Sequence, residues 1–466
     1  MFPFETSHPE NRVVVITDDG LSFTFNDVRS FSETINKIIQ HRCLIFCLSQ
    51  NTVGSIFGYI SFISNLIVPV MLDSAIDSDF LEGTINKYNP EYLWLPDNRV
   101  NQFANYKVLF SKYNYSLVKL EEKSSYPLHA DLAILLTTSG STGSSKFVRI
   151  SYENLKSNAE AISSYLSIDA LERPITNLPM WYSYGLSIIN CHLLKGATIL
   201  LTSKTIVEKD FWNFLKSQKA SSLSGVPYTF RILKKLKFTE MSLPSLKTLT
   251  LAGGKLNNDL NKEMCEYALH SGKRFFVMYG QTEATARMSY LPPEYSIEKL
   301  GSIGLPISGG EFNIVDDHGK SIHEAGVAGE LVYNGKNVSM SYAQSFNDLI
   351  KDNDNNGLLF TGDLAKKDED NFYFIVGRKN RYMKLFGNRV NLDEIEDLLS
   401  KIISDCACIG SDDNISVFIT DRNRISEIKN FINLKTGIHN TAFSVNYCEE
   451  IPRTALGKIN YSKLEV

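Results

Sequence analysis

Leu135-Leu-Thr-Thr-Ser-Gly-Ser-Thr-Gly-Ser-Ser-Lys-Phe-Val-Arg-Ile150 is the stretch from which the rest of the chain is read. The apolar runs Ile134 to Leu136 and Phe147 to Ile150 predict strands. Between them lie nine residues of Thr, Ser and Gly only, closed by Lys146. A loop of hydroxyls and bare backbone N–H groups with one cation at its end suits a polyphosphate. Gly140 and Gly143 let the main chain turn and approach a ligand, and the lysine offsets charge. It is not a Walker loop. Counted from Gly140, that pattern needs glycine where Ser145 stands, Ser or Thr where Phe147 stands, and a helix rather than a strand afterwards. A flexible Ser/Gly linker is the plain alternative for such a loop taken alone.

The chain has 466 residues, too long for one core, so two or three domains are expected. A charged fraction of 21% and a net charge of −4 without a long basic block argue against nucleic-acid binding as the main task. Cys43, Cys47, Cys191, Cys265, Cys406, Cys408 and Cys448 lack Cys-x-x-Cys spacing and read as reduced thiols of a cytoplasmic protein. The histidines form no H-x-x-x-H pair, so no zinc site is expected. Met1-Phe-Pro-Phe-Glu has no positive n-region, and no signal peptide is expected. Val53 to Leu72 is uncharged and of membrane-spanning length, but Asn65 and Pro69 interrupt it. A buried helix, Val53 to Ser64, followed by a buried strand, Leu66 to Leu72, explains it better.

Taken in order, residues 11–130 alternate β-rich runs with helical stretches, the rhythm of an α/β sheet. Ser151 caps an amphipathic helix to about Leu166. The alternation continues through Ile199, the helix Lys209 to Lys219, Ser221, Thr248 and Arg274. From about Gly301 short strands and tight turns predict a β-rich subdomain or barrel. After Gly377-Arg-Lys-Asn-Arg about 85 residues remain, enough for a small α+β domain. The expected division is 1–379 for a large domain, its β-rich part about 301–379, and 380–466 for a small mobile one.

Four further segments look like a site rather than packing: Gly253-Gly254-Lys255, Tyr279-Gly-Gln-Thr-Glu283, Thr361-Gly-Asp363 and Pro452-Arg-Thr-Ala-Leu-Gly-Lys458. The first two end strands, where ligands collect in α/β sheets. With the Thr/Ser/Gly loop, Gly329-Glu-Leu-Val and Gly377-Arg378 to Gly387-x-Arg389, and in this order, they resemble the adenylate-forming superfamily. That group includes acyl- and aryl-CoA synthetases, nonribosomal-peptide adenylation domains and luciferases. The resemblance runs from about residue 20 to 460.

The resemblance implies an ATP-dependent acid–thiol ligase. A carboxylate is joined to the α-phosphate of ATP, pyrophosphate leaves, and the acyl group passes to a phosphopantetheine thiol of an acyl carrier protein or CoA. The task is mostly positioning and charge neutralisation. Thr138, Ser139, Gly140, Ser141, Thr142, Gly143 and Lys146 are expected to hold the β- and γ-phosphates. Thr282 reaches the α-phosphate, and Glu283 ligates Mg²⁺. Tyr279, with Gly280 and Gln281 after it, stacks on adenine beside Gly253, Gly254 and Lys255. Asp363 accepts the ribose hydroxyls, assisted by Arg378. Lys458 is the catalytic lysine, Asn380 the hinge, and Gly387 leaves room for the pantetheine arm. There are departures: Ser145 replaces a usual proline, Phe147 a glycine, Asn380 the usual Asp or Lys, and Tyr182 a frequent histidine. The chain is short for the superfamily and offers no decisive basic cluster for CoA, which leans the acceptor towards a carrier protein.

Amino-acid-activating relatives carry Phe-Asp-x-Ser, whose Asp pairs with the substrate ammonium; here Tyr184-Gly185-Leu186-Ser187 stands instead. A buried ammonium without that partner is costly. The expected substrate is therefore a non-amino acid, in a pocket of Trp181, Tyr182, Tyr184, Gly185, Ser224, Gly225 and Ala284 to Arg287. Arg287 either meets a second carboxylate or hydroxyl or faces water. The rival readings are amino-acid adenylation and a non-catalytic nucleotide-binding scaffold. Neither a luciferase-type oxidation nor a nucleic-acid partner is asked for by any residue.

Overall fold

The computed structural model describes residues 8–120, 126–138, 146–385, 388–400, 402–403, 405–411, 414–436, 439–454 and 457–464. Ser139 to Ser145 and Gly387 therefore lie outside the described residues.

The strands Leu132–Thr137 and Phe147–Ser151 pair antiparallel, so the phosphate-type loop joins two adjacent strands. They belong to an eight-stranded sheet. Its centre is parallel: Leu132–Thr137, Val68–Asp73, Leu44–Ser49 and Tyr92–Pro96. These central strands are buried along nearly their whole length, as continuous apolar runs require when both faces are covered. The helix Val53–Ser64 that covers one face is buried from Gly54 to Ile63. Trp94 lies across it and donates its indole N–H to the Gly54 carbonyl at 2.9 Å. The uncharged stretch is thus a core helix and strand. Among the described residues no helix is long and apolar enough to cross a membrane.

A second, five-stranded sheet starts with three parallel strands, Ser222–Gly225, Thr248–Leu251 and Arg274–Tyr279, and ends with Ser289–Leu291 and Leu305–Pro306 antiparallel. The helices Tyr152–Tyr165 and Ser183–Leu194 pack on each other between the layers. The first opens with a capping box, Ser151 and Asn154 each bonding the other's backbone N–H.

The β-rich part is not a barrel. Gly310–Val315, Gly329–Gly335, Leu358–Lys367 and Tyr373–Arg378 form an open antiparallel meander. Between its second and third strands the chain leaves the meander, and Ser341–Ala343 pairs with Phe147–Ser151 at the edge of the eight-stranded sheet. Arg149 clamps this return. Its fully buried guanidinium donates to the carbonyls of Met340, Lys351 and Asp352 and meets the Asp354 carboxylate at 3.1 Å. The C-terminal part has its own apolar cluster, from Leu392 and Ile395 to Val417 and Phe443, under a three-stranded sheet. The architecture is thus α/β layers, a β meander and a small C-terminal α+β part.

Candidate active site

The strand Arg274–Tyr279 delivers Tyr279 and the turn behind it. Gly280 is required there, because a Cβ at that position would lie 1.7 Å from the Ala286 carbonyl oxygen. The backbone then closes through a short 3-10 turn, Thr282–Ala284, and two non-glycine residues with positive φ, Thr285 at +59° and Ala286 at +129°. Such conformations persist only where surroundings enforce them. Asn337 donates to the carbonyls of Ala284 and Arg287, and Asn158 donates to that of Arg287. Ser339 N–H holds the Glu283 carbonyl at 2.8 Å.

Three groups converge on Asp363, which is 5% exposed. The Tyr279 hydroxyl donates to Oδ2 at 2.5 Å and the Gln281 amide to the same oxygen at 2.9 Å. Arg378 Nε lies 3.2 Å from Oδ1. Burial, and then the Asp363 charge, push the Tyr279 phenol well above its ordinary range, so it stays a donor. The carboxylate is thus oriented, with acceptor capacity left on Oδ1.

A second group forms around Glu283. The Tyr342 hydroxyl donates to Glu283 Oε1 at 2.7 Å, and the Lys146 ammonium sits 3.2 Å from the centre of the Tyr342 ring. Lys146 at the end of the Thr/Ser/Gly loop is thereby joined through one aromatic ring to Glu283. Tyr342 was not among the sequence-predicted residues; it lies in the three-residue edge strand that nothing in the sequence marked. Beside Glu283 the Thr282 hydroxyl is buried, 3.2 Å from that of Ser183.

Lys458 enters from the C-terminal part. Its ammonium lies 6.0 Å from the centre of the Tyr182 ring. Burial, then the Arg378 charge, push its pKa down to about 8, against the opposing pull of Asp363 and Glu283. Its approach is fixed by Gly457, whose φ is +73° and where a Cβ would lie 2.7 Å from that of Tyr228. Lys255 instead pairs with Asp397 of the C-terminal part and is exposed. Lys379 pairs with Glu330 at 2.7 Å, and Asn391 donates to the Val376 carbonyl. Asn380 lies in the short turn Lys379–Arg381 between the two parts.

Of the residues expected to line the acid pocket, the structure brings some together and sets others apart. Tyr182, Tyr184, Ser224 and Arg287 are buried together, with Trp181 half-buried, and the Tyr184 hydroxyl bonds the Thr250 hydroxyl at 2.7 Å. Gly225 ends its strand beside Thr229 and Phe230. A Cβ at Gly253 would lie 2.8 Å from the Tyr182 hydroxyl, and one at Gly254 3.2 Å from the Pro227 ring. Ala284, however, is packed with Met288, Tyr333 and Val338 in the meander's apolar cluster. Arg287 does not face water: it is 3% exposed, stacked 3.8 Å from the Tyr184 ring centre. At Gly185 a Cβ would fall 2.2 Å from the Pro179 carbonyl oxygen, so an aspartate cannot enter there without moving backbone.

The model of the AMP-binding enzyme family matches residues 69–343. The chain belongs to the AMP-binding enzyme family. Among its relatives in that family are the long-chain-fatty-acid–CoA ligase of Salmonella typhimurium and the 2-succinylbenzoate–CoA ligase of Bacillus pumilus. The first is 28% identical over 71% of this chain and 60% of its own length, and the second 27% identical over 72% and 68%. The match thus spans about 60% of the length of the first relative. The fold resembles O-succinylbenzoate coenzyme A synthetase from Bacillus subtilis in complex with AMP, with a TM-score of 0.79, 22% identity and coverage of 98% and 96% of the two chains. It also resembles ATP-bound MatB from Rhodopseudomonas palustris, with a TM-score of 0.82, 18% identity and coverage of 99% and 96%.

Proposed function

We propose that this chain is an ATP-dependent acid–thiol ligase. The observation that carries the reading is the burial of the Lys458 ammonium over the Tyr182 ring, within the electrostatic reach of Glu283, Asp363 and Arg378, charges brought from three separate sequence blocks. A fold alone needs none of them together. In the first half-reaction a carboxylate oxygen bonds to the α-phosphorus of ATP while the bond to the β-phosphate bridge breaks, giving acyl-AMP and pyrophosphate. Lys458 as its ammonium form draws the carboxylate and the α-phosphate together and stabilises charge on the phosphorus oxygens. The Thr282 hydroxyl turns from Ser183 to donate to the same phosphate. Lys146 with Thr138 and the loop 139–145 holds the terminal phosphates. Asp363, oriented by Tyr279, Gln281 and Arg378, accepts ribose hydroxyls on Oδ1, and the adenine lies beside Gly253 and Gly254.

Glu283 offers a hard carboxylate oxygen at the Lys146 end of the site, which fits Mg²⁺, an ion that bridges phosphates and offsets their charge. Tyr342 holds the other side of that carboxylate in place.

In the second half-reaction a thiol attacks the acyl carbon, and AMP leaves with the bonding oxygen. We take residues 1–379 as the large unit and 380–466 as the mobile one, turning at Asn380, and the missing side chain of Gly387 as room for the pantetheine arm. The thiol is that of CoA or of an acyl carrier protein; the names of the relatives support CoA. The acid lacks an α-amino group, because Gly185 excludes the carboxylate that such a group needs and Arg287 adds like charge. Cytoplasmic location is part of the same proposal.

The test is incubation with ATP, Mg²⁺, a panel of acids and either CoA or phosphopantetheinylated carrier protein, followed by mass spectrometry. An acyl-thioester with stoichiometric AMP and pyrophosphate supports the reading. Hydrolysis of ATP to ADP and phosphate, or thioester formation from α-amino acids alone, contradicts it.

A further inference from the structure

Beside the Tyr184 ring lies a narrow cavity of only about 20 Å³, bordered by Ser187, Ser224, Thr250, Met278 and Arg287. Arg287 is the anomaly in this wall. Its guanidinium donates to the neutral Ala286 carbonyl at 3.1 Å and rests on the Tyr184 face, with the Tyr165 hydroxyl beside it. Its Nε is buried without a hydrogen-bond partner. Among the described residues no carboxylate lies within ion-pairing distance of it. Glu172 also borders the cavity, but its carboxylate takes the Ser221 hydroxyl. His192, on the same wall, is pushed down to about 4 by burial and is neutral.

A buried, always-charged guanidinium with only neutral neighbours is unfavourable unless an anion completes it. The backbone that places Arg287 is itself held: its carbonyl accepts from both Asn158 and Asn337, after two residues at positive φ. The Tyr182 and Tyr184 rings meet edge-to-face at 6.2 Å. One cation stands at each end of that pair, Lys458 over Tyr182 and Arg287 over Tyr184.

We propose that the acid activated here carries a second carboxylate, which pairs with Arg287 while the reacting carboxylate lies at Lys458. The inference rests on the ligase reading and names the substrate class within it. A simple alkyl tail leaves the guanidinium unpaired in a drier site, and an ammonium meets its charge.

The experiment compares straight-chain dicarboxylates of about three to eight carbons with monocarboxylates of matched length, using ATP–pyrophosphate exchange. Both wild type and Arg287→Met are assayed, with Arg287→Lys as a second variant that keeps charge without the fork. The expected result is a dicarboxylate preference in wild type. The ratio of dicarboxylate to monocarboxylate exchange then falls about 100-fold in Arg287→Met and less in Arg287→Lys. Exchange with monocarboxylates only, or a ratio that Arg287→Met leaves unchanged, overturns the proposal. Calorimetry of the same dicarboxylates against both proteins separates it from the ligase reading. Binding heat that vanishes in Arg287→Met supports the anion site even if no exchange occurs, and absence of heat in wild type overturns it. Thermal unfolding of the variants shows whether they are folded.

Discussion

In the proposed reaction, the buried position of Lys458 makes adenylation sensitive to alkaline pH in a range where an ordinary lysine is not. Its pKa falls from 10.5 to about 8, chiefly through loss of water and then through Arg378. That shift corresponds to roughly 3 kcal/mol by which the docked state disfavours the ammonium. The sign follows directly. Below about pH 8 the lysine is cationic but held at this cost, and between about pH 8 and 10 the docked state gains stability as the proton leaves. Catalysis needs the cation, so activity moves the opposite way. One pH unit above the pKa leaves about one tenth of the sites charged, and kcat/KM falls about tenfold per unit beyond it. The assay is pyrophosphate exchange at low ATP from about pH 6 to 10, because kcat/KM reports the free enzyme. Saturating ATP brings phosphate charge beside Lys458 and moves the break upward in kcat. A Lys458→Arg variant, however slow, shows no such break, since a guanidinium does not titrate there. A wild-type profile that is flat to about pH 10 refutes the reasoning.

Tyr342→Phe keeps the ring under Lys146 but removes the hydroxyl from Glu283; the Mg²⁺ concentration needed for half-maximal exchange rises several-fold, while stability falls by about 1 kcal/mol. Asp363→Asn weakens the Arg378 contact and the ribose acceptor, so ATP affinity measured by calorimetry drops by about 2 kcal/mol, with a smaller effect on acid selectivity. Lys255→Ala breaks an exposed ion pair with Asp397, and ATP affinity changes by less than about 1 kcal/mol. Arg149→Met strips a buried clamp from three carbonyls and Asp354; chemical denaturation shows a loss of about 3 kcal/mol.

Much of the fold was legible because its signals are local. The apolar runs on either side of the Thr/Ser/Gly loop, the Ser151 cap and the helix after it are all written within a few residues of where they act. So was the buried helix Val53–Ser64, since an uncharged run broken by Asn65 and Pro69 suits a core better than a bilayer. The β-rich subdomain was legible too, but not the choice between an open sheet and a barrel, because short strands and turns specify hairpins, not closure. Closure depends on whether a fourth strand reaches the first, and here the meander stays open. Ser341–Ala343 was invisible for a related reason: a three-residue edge strand earns its pairing from Phe147–Ser151, almost two hundred positions away. Tyr342 was missed with it. Lys255 was singled out because it follows Gly253-Gly254; its ion pair with Asp397, 142 residues distant, no local signal could show. Arg287 was an open choice in the sequence, as burial of one arginine depends on Asn158, Asn337 and Tyr184 acting together. Gly185 carried a compositional hint whose steric basis, the Pro179 carbonyl, only the folded chain reveals.

The central claim is that Lys458, buried within the electrostatic reach of Glu283, Asp363 and Arg378, makes this chain an acid-adenylating enzyme. Acid-dependent ATP–pyrophosphate exchange in wild type and Lys458→Ala, with ATP binding measured in parallel, tests it most directly. The account predicts exchange in wild type, its loss by at least about a hundredfold in the variant, and ATP affinity within about 1 kcal/mol of wild type. Exchange that survives in Lys458→Ala, or a wild-type chain that neither exchanges nor binds ATP, contradicts it.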